Sequence, residues 1–184
     1  MQWLWALRTM TMTHMRNSLE TDRLFLTALS ARQLKLWIED MPTLEAELNC
    51  TYRGEPVKGF FVDIVKGQIA KIENDEENQL FHTFWLIIRK ADRIVVGSTA
   101  FKGAPNEDGE IEIGYGLGEE FWGNGYMTET VQAICNWAKA QKNVSCVIAE
   151  TESGNPRSEN VLRRCGFVVY KQSEVDDTNT WWRA

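Results

Sequence analysis

The chain has 184 residues, a net charge of −6 and a charged fraction of 25%. A domain of this size buries about seventy per cent of its unfolded surface, so a real core is expected and wholesale disorder is excluded. The acidic balance excludes a general nucleic-acid binder with a basic face. No apolar run approaches the ~20 residues of a membrane helix, so neither nucleic acid nor membrane is expected as a partner.

The start, MQWLWALRTMTMTHMRN, is apolar only briefly, and Met10, Met12 and Met15 allow a later start. Residues 1–17 read as an N-terminal extension and 18–184 as one domain. Segment 22–29 (DRLFLTAL) puts Leu24 and Leu26 on one face, as a strand does. Ser30 caps a helix carrying Leu34, Trp37 and Ile38, and Pro42 opens another short helical stretch. Residues 55–78 show a helical period from Phe60 to Ile72.

The period then changes. Segments 81–90 and 93–101 are rich in branched and aromatic residues, and 110–118 (EIEIGYGLG) alternates acid and apolar until glycines take over. Tyr126 to Gln141 is helical again, 144–151 is a strand, and Asn155-Pro156 opens a helix that ends at Gly166. Two closing strands follow. The predicted order is β, two helices, a three-stranded meander, α, β, α, β, β. That is an α+β domain with a mixed, largely antiparallel central sheet flanked by helices. Its β–α–β unit at 110–151 is the parallel portion, with a right-handed crossover.

The strand at 110–118 leads through GEEFWGNGYMTET (118–130) into a helix. Gly123 and Gly125 let the backbone turn sharply and let a ligand approach. The first N–H groups of the helix have no intrahelical partner and lie at its positive end. Strand, glycine loop and helix start make an anion cradle suited to a phosphate or pyrophosphate, although the same residues also make a plain turn. Neither GxxxxGK[ST] nor a complete dinucleotide fingerprint is present, since Thr128 stands where the latter takes Gly or Ala.

Segments IEIGYGLGEEFWGNGYMTETVQAICNWA and VIAETESGNPRSENVLRRCGF together resemble the GNAT superfamily of acyl-CoA-dependent N-acetyltransferases. The chain is most similar to the branch that acetylates ribosomal-protein N-termini. The resemblance runs from about Leu19 to the C-terminus and includes the opening strand LETDRLFLTAL. It implies acetyl-CoA as cosubstrate, bound by the backbone of Trp122, Gly123, Asn124, Gly125, Tyr126 and Met127. Trp122 departs from the Arg or Gln that the family often has there, which removes a charge contact. The resemblance also implies that the Leu117 backbone lies beside the thioester and that Asn155 meets the pantetheine arm.

Acetyl transfer to an amine takes a base, a held carbonyl and a protonated leaving group, and needs no metal. Glu112 is the candidate base, on the strand entering the site, and Glu110 on the same face is a weaker one. The bland alternative for Glu112 is a sheet carboxylate paired with a lysine or arginine. Many family members place a Tyr acid where Leu162 stands, so Ser158 is the candidate to meet the sulfur. Ser158 and Asn155 equally suit a helix N-terminus, and Glu129 suits the dipole of the glycine-loop helix. Tyr115 and Tyr126 read as packing or cofactor-lining residues, and His14 and His82 as isolated.

Cys50, Cys135, Cys146 and Cys165 are scattered without metal-binding spacing, which predicts reduced thiols in a cytoplasmic protein and no metal. The expected activity is acetyl transfer to a primary amine, either a peptide N-terminus or a small amine, by direct attack in a ternary complex. The early helices and the closing strands would form the acceptor groove. The acidic chain favours a cationic amine, and a homodimer is allowed on general grounds. Two alternatives stay open: a CoA-binding regulatory module without turnover, and a nucleotide-binding protein with a variant phosphate loop.

Overall fold

A computed structural model describes residues 17–152, 154–172 and 179–184. His14 and nearly all of the 1–17 segment lie outside the described residues. The strands are β1 (Ser18–Glu20), β2 (Leu24–Ala28), β3 (Thr51–Tyr52), β4 (Phe84–Arg89), β5 (Ile94–Phe101), β6 (Glu110–Leu117), β7 (Cys146–Glu152), β8 (Val168–Gln172) and β9 (Asn179–Arg183). The helices are α1 (Ala31–Glu39), α2 (Met41–Leu48), α3 (Phe60–Asn74), α4 (Gln79–His82), α5 (Tyr126–Lys139) and α6 (Pro156–Arg164).

Local chemistry sets most boundaries. Ser30 and Gln33 form a reciprocal capping box at the start of α1. Asp40 caps α2, and Asn49 ends it in the left-handed region at φ 47°. Among the described residues four helices precede the meander where the predicted order has two: α1, α2 and α3 match the stretches read at Ser30, Pro42 and 55–78, and α4 is additional. The break after α2 is made by Asn49 and the Gly54-Glu55-Pro56 turn, and the acidic stretch at 75–78 separates α4 from α3.

The strands form one sheet in the order β1-β2-β4-β5-β6-β7-β9-β8. Pairing is antiparallel except for β6 with β7, as predicted, and for β3, which runs parallel to β5 at Ile94 and Val95. The sheet separates two apolar cores. Leu24, Leu26, Trp85 and Ile87 pack with Val131 and Ile134 of α5 and Leu162 of α6. On the other face Leu86, Ile88 and Val95 pack with Leu34 and Trp37 of α1 and Val65 and Ile69 of α3. The alternation of β4 supplies both faces, so all its residues but the last are buried.

Two features of the sheet position the site. Strands β6 and β7 pair only from Glu110/Cys146 to Ile113/Ala149, and the remainder of β6 runs on without β7 beside it. Strand β6 also leaves β5 at Gly118, whose N–H bonds Val96 C=O. There β3 takes over the edge of β5 and runs toward β6 head-on. The strap Arg53-Gly54-Glu55 therefore crosses the end of β6.

Candidate active site

Two cavities meet at that end of β6. The first, of about 460 Å³, lies between the glycine loop and the start of α6 and is lined by Leu117, Trp122, Gly123, Gly125, Asn155 and Ser158, among others. The second, of about 520 Å³, lies between α3 and the sheet and is lined by Phe61, Gln68, Phe84 and Phe101, among others. Glu55, Tyr115 and Gly116 line both.

The divergence of β6 from β7 opens backbone groups to the first cavity. The bonds from Gly118 N–H to Val96 and from Lys102 N–H to Glu112 fix which residues of β6 face β5. By antiparallel alternation, Tyr115 and Leu117 turn their backbone groups toward the gap. The Leu117 carbonyl accepts from Trp122 Nε1 at 2.9 Å.

The loop that follows is built for an anion. Gly123 and Gly125 both have φ 77°, a region closed to most side chains, and a Cβ at Gly123 would meet only open space. The Asn124 side chain donates to the Phe121 and Trp122 carbonyls, and the Asn124 carbonyl accepts from Arg23. No side chain caps α5, so the N–H groups of its first turn stay directed at the cavity that Gly125, Tyr126 and Met127 line. The Arg157 guanidinium stacks on the Trp122 ring, 3.9 Å from its centroid, and Arg157 and Arg164 line the same cavity. The positive charge that Trp122 costs the loop is present, from α6. A phosphorylated ligand fits this donor set.

The strap brings a carboxylate to the junction of the cavities. Gly118 would set a Cβ 2.6 Å from the Arg53 carbonyl, and Gly54 would set one 3.3 Å from Gly97 Cα. A Cβ on Gly116 would collide with the Glu55 carboxylate. Glycine at these crossings lets the strap lie on the sheet. Tyr52 Oη donates to the Glu55 carbonyl at 2.8 Å, and Arg53 pairs with Glu120 at 2.9 Å. Although the residue as a whole is exposed, burial around its carboxyl raises the Glu55 pKa above the usual 4.5.

On the other side of the junction, Tyr115 Oη and Ser158 Oγ lie 2.8 Å apart. Burial raises the Tyr115 pKa to about 12, so its hydroxyl keeps its proton at neutral pH. Asn155 accepts from the Ser158 N–H at 3.1 Å, so it caps α6 while lining the cavity.

Residues 23–168 match the family model described as acetyltransferase (GNAT) domain. The chain belongs to the GNAT acetyltransferase family. It is 31% identical over 156 residues to YjdG of Bacillus subtilis (strain 168), an uncharacterized N-acetyltransferase, covering 79% of this chain and 92% of that one. The fold is shared with the ribosomal-protein-S5-alanine acetyltransferase of Vibrio fischeri (TM-score 0.66, 16% identity, 91% of this chain and 95% of that one). It is also shared with the ribosomal L7/L12 alpha-N-protein acetyltransferase RimL in complex with coenzyme A (TM-score 0.63, 18% identity, 89% and 94%).

In this GNAT acetyltransferase, Leu117, Trp122, Gly123, Gly125, Tyr126, Met127, Asn155 and Ser158 line one cavity, with Asn124 bonded inside the loop. Glu112 lies apart from them. It is in ion-pair contact with Lys102, which also reaches Glu150 at 3.2 Å, and it lines neither cavity. Burial would lower the Lys102 pKa, but the two carboxylates prevail and raise it. Glu110 pairs with Arg183, and His82, buried, meets Asp75 at 2.9 Å.

Glu55 and Arg157 line the cavities although the sequence reading singled out neither, and Tyr115, read as packing or cofactor-lining, lines both. The turn signal Gly54-Glu55-Pro56 marks a bend but not where it lands. Glu129 does more than answer the helix dipole, since it accepts from Thr21 Oγ1 at 2.6 Å and from Arg23 Nε at 2.7 Å.

Proposed function

We propose that this enzyme transfers an acetyl group from acetyl-CoA to a primary amine, with both bound at once in the two cavities that meet at Gly116. The observation that carries this reading is the junction itself. An anion cradle with the Tyr115–Ser158 hydroxyl pair in its lining opens on one side, an apolar-walled cavity on the other, and a raised-pKa carboxyl stands between them.

Acetyl-CoA supplies an acetyl group already activated as a thioester. The chain's own residues hold, orient and move protons. The N–H groups from Gly123 to Met127 and the α5 dipole hold phosphate, and Arg157 and Arg164 add charge. The Leu117 backbone and Asn155 line the path from there to the junction. Glu55 accepts the proton that the amine loses as its nitrogen bonds to the acetyl carbon. It is assigned this role ahead of Glu112, which is paired with Lys102 and lines neither cavity. The Tyr115–Ser158 pair donates toward the sulfur as the C–S bond breaks. Bringing both reactants to one point supplies much of the acceleration.

The test is calorimetric titration with acetyl-CoA, with ATP and NADH as controls, followed by thiol release on adding amines. Selective binding is expected, weakened at least about tenfold in Gly125→Val and in Arg157→Ala. Gly125→Val closes the cradle, whereas Arg157→Ala tests the charge at an exposed position. Equal affinity for ATP, or unaltered binding in both variants, would overturn the cradle. Tight binding without thiol release for any amine would favour the non-catalytic alternative.

A further inference from the structure

The second cavity identifies the kind of amine, a deduction that rests on the transfer reading above. Its walls are apolar and fixed in place. Phe61 packs edge-on to Trp37 and Phe84, with centroids 5.5 and 5.3 Å apart, and Ala100 lines the cavity from the sheet. Gly67 of α3 and Gly114 of β6 both line the cavity, and a Cβ on either would meet nothing within 4 Å. The slot is widened at both glycines, leaving room for a bulky group between preformed walls.

One polar group in this wall is unfinished. Gln68 is 5% exposed, and its Nε2 donates to the Phe101 carbonyl at 3.2 Å. That bond fixes the orientation of the amide, because a carbonyl can only accept. Among the described residues Gln68 Oε1 is then a buried acceptor with no partner, in the lining of the cavity. Buried acceptors are nearly always satisfied, so a donor is called for here.

Glu55, Asp63, Lys71 and Lys102 also line this cavity, and Lys102 is already paired with Glu112 and Glu150. A polyamine or aminoglycoside offers neither an apolar group for the Phe61 wall nor an amide N–H for Gln68 Oε1.

We propose that the acceptor is an amine with a bulky apolar side group and an amide N–H, the pattern of an α-aminoacyl amide. The amine lies at Glu55, the side group between Phe61 and the sheet at Ala100 and Gly114, and the amide N–H on Gln68 Oε1. This chemistry occurs both in small aminoacyl amides and at the start of a peptide.

The experiment measures thiol release from acetyl-CoA with phenylalaninamide, phenylalanine methyl ester, alaninamide, spermidine and the tripeptide Phe-Gly-Gly. Phenylalaninamide is expected to exceed the ester, which lacks the N–H, by about tenfold in kcat/KM. It should exceed alaninamide by at least as much and spermidine by more. Gln68→Met should collapse the amide-over-ester ratio toward one, whereas a merely structural role would lower both and keep the ratio. Phe-Gly-Gly above phenylalaninamide assigns a peptide source, and the reverse assigns a small amide; either supports the class. Amide and ester used alike, or spermidine or alaninamide preferred, would overturn this acceptor while leaving acetyl transfer standing. Release with none of the five, alongside intact acetyl-CoA binding, would overturn the transfer reading and this deduction with it.

Discussion

At the scale of single residues, Glu55 and Glu112 show how placement decides chemistry. Both are carboxylates beside β6, but Glu112 near its start meets an ammonium group, whereas Glu55 at its end meets Gly116 and two cavities. Burial raises the Glu55 pKa above 4.5, so the fraction able to accept a proton falls on acidification earlier than for an ordinary glutamate. The rate should therefore rise with pH along a limb centred above that value. Glu55→Gln should lower kcat about 10²- to 10⁴-fold and erase the limb. A pH–rate profile of the two proteins checks this, and an unchanged limb in the variant would assign it elsewhere. Glu112 was legible as a strand carboxylate with a paired alternative. Glu55 was not, because nothing in a Gly-Glu-Pro turn says which strand it will cross.

At the scale of elements, the glycine loop is held from outside. Arg23, one residue before β2, bonds the Asn124 carbonyl and the Glu129 carboxylate, and its guanidinium lies 4.8 Å from the Tyr126 ring centroid. Burial would raise the Glu129 pKa, but hydrogen bonds from Thr21 and Arg23 outweigh it and hold it below 4.5. A depressed carboxylate stabilises the fold above its unfolded pKa and loses that contribution as pH falls through the folded one. The brace is therefore intact above about pH 5 and fails at lower pH. Glu129→Gln should cost about 1 kcal/mol at pH 7, a figure kept small because Arg23 is half exposed. Denaturant titrations at pH 7 and pH 3.5 should show that difference shrinking with acid. A difference that persists at pH 3.5 would mean that packing, not charge, accounts for it. The loop and its helix were readable from glycine spacing and helical period; the brace joins residues more than a hundred positions apart and left no local mark.

At the scale of the molecule, the site depends on two chain segments passing without collision. Gly118 has φ −54° and ψ 139°, which alanine adopts freely. What excludes alanine is the Arg53 carbonyl, 2.6 Å from the Cβ it would add. Gly118→Ala should therefore cost about 1–3 kcal/mol through overpacking and lower Tm by about 2–4 °C for each of them. It should also lower activity, since the displaced strap carries Glu55. Melting curves and thiol-release rates on the same preparation test the coupling, and a neutral Gly118→Ala would show that the strap yields without consequence.

The sequence by itself determined most element types, the parallel β6–β7 pair, the cap of α6 and the left-handed turns of the glycine loop. Each is written in neighbouring residues through period, capping chemistry or glycine conformation. Tertiary structure alone decided that β9 inserts between β7 and β8, that Arg157 covers Trp122, and that Tyr115 meets Ser158. It also decided that Glu55 reaches Gly116. These meetings follow from where the sheet splays and which strand ends first. Those are properties of long-range pairing, and no short window of sequence contains both partners.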